Sequence, residues 1–213
     1  TPHTIELYDN SNIQGAYAVA GMVVYKDGMP SKKDYRKYKI KTVEGPDDYA
    51  SMKEVIYRRY YRLLMEQKEM ADLIIVDGGL GQIKVAKEVI DGLNLPVHIC
   101  GLSKDDKHST AMLLDENGNQ VPIDTKSPLF FLLTRMQDEV HRYAISFHRQ
   151  VRSKSLFSSI LDEVDGIGEA RKKKLLNHFK TITKLSKASV EDITKIGIPK
   201  NTAQKIVEYF NLS

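Results

Sequence analysis

Two aspartates set the first chemical question. Asp9 and Asp77 each stand at the carboxyl end of an apolar run, Thr4 to Tyr8 in one case and Leu73 to Val76 in the other. If those runs are neighbouring parallel strands, both carboxylates emerge at one edge of a sheet. Close carboxylates repel, and a hard divalent cation with oxygen ligands relieves the repulsion. Each aspartate also has an ordinary explanation, because a strand-ending Asp often caps the turn that follows. For Asp77 that turn is Gly78-Gly79 and the helix beyond it. A helix opening near Ser127 carries further candidates. Asp138, His141 and His148 fall at i, i+3 and i+10, close to one face, and Arg135, Arg142 and Arg149 recur every seven residues beside them. Such an edge offers imidazole to a metal or a water and guanidinium groups to phosphate. The competing reading is a solvated face with i,i+4 ion pairs such as Arg135 with Glu139. The Gly78-Gly79-Leu80-Gly81 string has neither the spacing and lysine of a Walker A loop nor the G-x-G-x-x-G spacing of a dinucleotide fold, which argues against nucleotide binding.

The surrounding pattern supplies elements that can position these groups. Thr4 to Tyr8 reads as a strand, Ala16 to Tyr25 as a second, and Asp27-Gly28 as the hairpin turn that returns the chain antiparallel over Ser31 to Lys41. Asp47 to Met70 reads as a long helix with Met52, Val55, Ile56, Tyr60, Leu63 and Leu64 as its apolar stripe. Leu73 to Val76 suits a strand buried on both faces. A helix from Gln82 to Leu93 and a strand over 96–101 complete a strand–helix–strand unit with parallel pairing. Residues 110–124 read as a hairpin tipped by Glu116 to Asn119, and Ser127-Pro128 starts the last large helix, expected to run to about Arg152. Arg152 to Ser155 is the best linker candidate, so the expected domains are 1–152, an α/β unit with a mixed sheet, and 153–213, a small all-α unit.

The tail repeats itself. Gly166-Ile167-Gly168 lies between two helical stretches, and Ile196 to Pro199 lies between two more. Glycines let the backbone approach a phosphate closely, and the N–H groups opening the next helix can donate to it. This tandem resembles the helix-hairpin-helix motif, which holds duplex backbone without reading sequence. The candidate DNA contacts are Gly166, Ile167, Gly168, Arg171, Lys172 and Lys173. The second hairpin adds Gly197 and Lys200, while Pro199 removes a backbone donor there. The competing reading is a helical hairpin that serves protein contact.

Bulk properties are consistent with a globular DNA-binding protein. Net charge is +4, and residues 155–213 carry ten Lys/Arg against seven Asp/Glu, so the smaller part holds most of the excess. The single cysteine, Cys100, excludes an internal disulfide, fits the reducing cytoplasm and reads as a buried strand residue. Nothing approaches the roughly 20 apolar residues of a membrane span. The chain begins at Thr1 without initiator Met or signal-like stretch, so it is expected to be a fragment.

Five blocks in order, Tyr8 to Gly15, Asp47 to Met52, Leu73 to Gln82, Gly101 to Asp105 and Arg135 to Ala144, closely resemble the UvrC family, the incision subunits of bacterial nucleotide excision repair. The match runs nearly end to end and includes the hairpin tail. The resemblance implies an RNase H-like endonuclease domain followed by tandem helix-hairpin-helix motifs, and an incision 5′ to the damage. It maps the catalytic and metal-binding set onto Asp9, Asp77 and His141. Mg²⁺ or Mn²⁺ would be held there, with His141 as third ligand or proton carrier; a histidine in place of another carboxylate favours one metal over two. Gln14, Lys104, Arg142 and Arg149 are candidates to surround the phosphate. The implied partners are double-stranded DNA, damaged or nicked, a UvrB-type helicase through the full-length protein, and UvrA indirectly. No membrane and no small-molecule cofactor beyond metal is expected. Leu80 replaces a Lys or Arg common in the family, and Pro199 departs from the hairpin pattern. The family's GIY-YIG nuclease and its UvrB-binding segment are not visible, which again suggests a C-terminal fragment. The rival readings are another RNase H-like nuclease, such as a junction resolvase or RNA–DNA hybrid hydrolase, and a non-catalytic DNA-binding repair scaffold.

Overall fold

The computed structural model describes residues 1–11, 18–104 and 111–212, and divides the chain into two units, Thr1–His148 and Arg149–Ser213. In the first unit the most apolar runs become the middle of one sheet. Strand β1 (Thr4–Ser11) pairs in parallel with β5 (Leu73–Asp77) in the register Ile5↔Leu73 to Tyr8↔Val76. On its other side β1 pairs antiparallel with β2 (Val19–Lys26), which places Gly21 opposite Asp9. Strand β6 (His98–Lys104) continues the parallel set beyond β5.

Shorter antiparallel strands finish both edges. They are β3 (Met29–Pro30) and β4 (Arg36–Lys39) on the β2 side, and β7 (Ala111–Leu114) and β8 (Gln120–Val121) beyond β6. Asp27 and Gly28 take left-handed φ of 51° and 78°, as a tight hairpin turn requires. The expected return strand over 31–41 is broken in two. Pro30 has no N–H for further pairing, and Asp34 N donates to Ser31 O at 2.9 Å to close a single 3₁₀ turn over Lys32–Asp34, braced by Ser31 Oγ donating to Asp34 Oδ2 at 2.8 Å.

Helices cover both faces. Helix α1 (Asp48–Met65) is capped by Asp47, whose carboxylate accepts from Ala50 N at 2.9 Å. It ends five residues before the expected Met70 because Gln67 turns left-handed (φ 51°) and Lys68 N reaches back to Leu63 O. Helix α2 (Leu80–Gly92) packs beside α1. The face of β1 that presents Glu6 and Tyr8 meets α1: Glu6 is buried and accepts from the hydroxyls of Tyr8 and Tyr60 and from the Arg59 guanidinium. The opposite face presents Leu7 and Asp9 and meets α3 (Pro128–Asp162), whose start is capped by Ser127. At Gly21 the backbone of α3 comes so close that an added Cβ would lie 3.1 Å from Cα, Cβ and N of Ala144.

Helix α3 does not stop at Arg152. The expected linker 152–155 is helical, and α3 passes from the first unit into the second. That stretch holds no Gly or Pro to end a helix, and Phe157 and Leu161 continue its apolar stripe into the core of the second unit. This core, with Leu175, Phe179, Ile193, Ile198 and Ile206, gathers α4 (Glu169–Phe179), α5 (Ile182–Ser186), α6 (Val190–Lys195) and α7 (Lys200–Leu212). Gly166 between α3 and α4 and Gly197 between α6 and α7 have φ of 87° and 80°, so the two hairpins turn alike. Helix α5 was not anticipated. No described helix is long and apolar enough to cross a membrane.

The Gly21 contact is testable. Gly21→Val should force the helix backbone away and cost about 1–3 kcal/mol, the usual range for overpacking, read as a lowered melting temperature; an unchanged one contradicts the close approach.

Candidate metal centre

The parallel ladder brings the two aspartates together. Tyr8 and Val76 are register partners, so the next residues, Asp9 and Asp77, leave the sheet side by side on the face covered by α3. Across that gap His141 Nδ1 lies 3.1 Å from Asp9 Oδ2, and Gln137 Nε2 donates to Asp77 Oδ1 at 2.7 Å. Ligand atoms of Asp9, Asp77 and His141 all lie within 4.8 Å of one another. Two ligands of one Mg²⁺-sized ion, each about 2.1 Å from it, stand at most about 4.2 Å apart. Only one pair of the three can stand that far apart and the others must come nearer about 3 Å, so closing the set takes side-chain movement on the order of 1 Å.

Electrostatics favours a cation in the same place. Burial of Asp9, which is 6% exposed, and then the neighbouring Asp77 charge push its carboxyl up to about 7, with His141 opposing both. Without a metal, one of the two acids thus holds a proton close to neutrality, and a divalent ion would remove that penalty. The donor set, two carboxylates and an imidazole, suits such an ion. The His141 side chain is 58% exposed, so this edge of the site is open to a substrate.

The turn-cap alternative for Asp77 loses ground, because α2 starts on Gly79 with no side-chain cap. Other expected residues separate from the cluster. Asp138 is exposed and His148 is buried at 4%. Arg142 is held by Glu139 through contacts of 2.8–3.1 Å, in place of the expected Arg135–Glu139 pair, while Arg135 Nε donates to Phe131 O. Arg149 belongs to the second unit. Gln14 and the side chain of Lys104 lie outside the described residues. Cys100 is buried in β6, where desolvation pushes its thiol up to about 12, a poor nucleophile.

Two residues at this edge were missed. Gln137 is four positions before His141, hence on the same helix face, and that spacing was the available signal. Asn10 donates through Nδ2 to Asp48 O at 2.8 Å and ties the end of β1 to the start of α1; its position after Asp9 gave no such hint.

In the second unit the hairpin residues occupy comparable turns. Ile198 is buried and Ile167 partly so, and Pro199 stands where the first hairpin has Gly168. Helix α4 opens on Gly168 without a side-chain cap, so its first N–H groups are left for other acceptors. Arg171 donates to Gly166 O at 2.6 Å, and Lys174 Nζ lies 3.2 Å from where a Cβ on Gly197 would be. Lys173 and Lys200 are exposed. Lys172 is buried, with Nζ 2.6 and 2.7 Å from the two carboxylate oxygens of Asp162.

Comparison with known proteins agrees with both units. Residues 1–145 match the UvrC RNAse H endonuclease domain, and residues 158–211 match the SAM-like helix-hairpin-helix tandem. UvrABC system protein C of Streptococcus uberis is 58% identical over 99% of this chain, which spans 36% of that protein's length. Among solved structures, human ENDOV aligns over 56% of this chain and 62% of its own, at 15% identity and a TM-score of 0.37. A Ciona intestinalis endonuclease V in complex with inosine-containing DNA aligns over 49% and 46%, at 16% identity and a TM-score of 0.36. Likenesses that weak carry no argument. Fold, site and family match define an RNase H-like endonuclease domain, of a class that works with divalent metals, followed by a helix-hairpin-helix tandem. The chain belongs to the UvrC RNase H endonuclease family.

The Asp9 environment predicts a gain of stability on losing its charge. A carboxyl raised to about 7 from 3.8 keeps its proton in the folded state after the unfolded state has lost it. Metal-free stability therefore falls as pH rises from about 4 through about 7. Asp9→Asn has no proton to lose. It should raise the metal-free melting temperature at pH 8, by about 2–4 °C per kcal/mol relieved, and much less at pH 4. Equal melting curves at pH 8 would refute the strained carboxylate pair.

Proposed function

We propose that this chain hydrolyses a DNA phosphodiester bond as the 5′-incising part of a nucleotide excision repair nuclease. The observation that carries the reading is the convergence of Asp9, Asp77 and His141 on one open edge of the sheet. Asp9 and Asp77 would hold Mg²⁺ or Mn²⁺, and His141 would either complete the ligand set or carry a proton to or from the reacting oxygen. When bound, the ion polarises the scissile phosphate and makes a water more acidic. Gln137, donating to Asp77 Oδ1 at 2.7 Å, would hold that carboxylate in place as a ligand. Arg142, beside His141 and paired with Glu139, is a candidate to exchange that partner for a phosphate. Gln14, Lys104 and Arg149 stay as candidate phosphate contacts from the sequence.

The same reading gives residues 1–152 the nuclease role and 153–213 the duplex-binding role. The two left-handed glycines, Gly166 and Gly197, and the uncapped start of α4 support backbone contact by the hairpins through Ile167, Gly168, Arg171 and Lys200. The salt bridge to Asp162 turns Lys172 toward a structural task. The partners are damaged or nicked double-stranded DNA, a UvrB-type helicase through the full-length protein, and UvrA through that complex. The cytoplasm is the compartment in which such repair occurs.

A lesion-bearing, pre-nicked duplex, incubated with and without the UvrB-type partner in Mg²⁺ and in Mn²⁺, tests the proposal. Metal-dependent incision 5′ to the lesion is expected; partner-independent cleavage of four-way junctions or RNA–DNA hybrids would point to another RNase H-like nuclease instead. Asp9→Ala should abolish incision while duplex affinity stays near wild type, and incision at the wild-type rate would overturn the assignment. Changing Gly166 and Gly168 together to Val should weaken binding to unrelated duplexes by a similar factor. Undiminished affinity in a gel-shift titration, with the fold intact by circular dichroism, removes the hairpin from DNA binding.

A further inference from the structure

Helix α4 carries cations on two sides, and the hairpins account for only one. Arg171 and Lys174 turn toward the hairpin glycines. Lys173, Asn177 and Lys180, at i, i+4 and i+7, form a second stripe. This stripe faces the start of α3's stretch in the second unit across a groove of two adjoining cavities, about 530 and 500 Å³. Lys154, Leu176 and Asn177 line both cavities. Arg149 and Lys180 line one end of the groove and Lys173 the other. Arg149, Lys154, Lys173 and Lys180 are all exposed and have no ion-pair partner among the described residues. Glu169 is the one acid in the lining, and it lies 3.9 Å from Lys172.

We propose that this groove is a second contact for nucleic-acid backbone, separate from the hairpins. The inference rests on the reading of the tail as a duplex-binding unit. Four unpaired cations along one trough, with one acid already engaged, form a polyanion site and not a solvated face of mixed sign. From Arg149 to Ser158 the α3 wall is about 13 Å long at 1.5 Å per residue. That length covers about four base-pair steps of duplex axis at 3.4 Å each. No aromatic ring lines the groove to stack on a base, and its cations are lysines and an arginine suited to phosphate, so it grips backbone of any sequence.

The test measures duplex affinity against salt for the whole chain by fluorescence anisotropy. Each lost phosphate contact lowers the slope of log K against log salt by about 0.9. The variant Lys154→Gln with Lys173→Gln and Lys180→Gln should lower it by about 2–3. A control, Lys184→Gln with Lys187→Gln and Lys195→Gln, removes the same charge from other exposed positions of the unit and should lower it by less than 1. Equal losses in the two variants would mean a general field effect and overturn the groove. An unchanged slope in the groove variant while the wild type binds also overturns it. A wild-type chain that binds no duplex refutes the underlying reading itself.

Discussion

Two carboxylates that repel each other at the end of a parallel strand pair are the constraint around which the first unit is organised. Nothing in sheet formation calls for Asp9 and Asp77 to be adjacent, yet the β1–β5 register makes them so. Burial and mutual repulsion keep Asp9 from ionising in the way an exposed aspartate does. A folded chain that accepts this cost holds a place for positive charge. The apolar strands and the buried Glu6–Arg59–Tyr60 cluster on the opposite face supply the rigidity that keeps the acids in position.

The third member of the set depends on how closely a helix can approach. Gly21 is the register partner of Asp9, and the missing side chain there admits Ala144 of α3. Ala144 follows His141 by three residues, and Gln137 precedes it by four, so one small-to-small contact sets the height of both functional side chains above the sheet. Gln137 then fixes Asp77 while His141 meets Asp9. The imidazole, the amide and the packing alanine are read from a single helix face.

Much of this was legible in the sequence, for identifiable reasons. The apolar runs ending on Asp9 and Asp77 announced parallel strands with acids at one edge, and Ser127-Pro128 announced the start of α3. The family blocks singled out His141 from Asp138 and His148, which periodicity alone left equivalent. Other features were not legible. The end of α3 was misplaced because a polar stretch without Gly or Pro looks like a linker until the apolar positions beyond it find a second core. The close contact at Gly21 joins residues 123 positions apart, and no local pattern encodes it. Lys172 looked like its exposed neighbours, and only the position of Asp162 distinguishes it.

The central proposal is that Asp9 and Asp77 hold one divalent ion beside His141. Paramagnetic broadening reads it directly, since Mn²⁺ at low stoichiometry broadens histidine ring resonances within reach of the ion. Of the six histidines, His141 should broaden first and most strongly, and Asp77→Asn should shift that effect to far higher Mn²⁺ concentration. Broadening that is uniform across the histidines, or that the Asp77 substitution leaves untouched, would contradict the account.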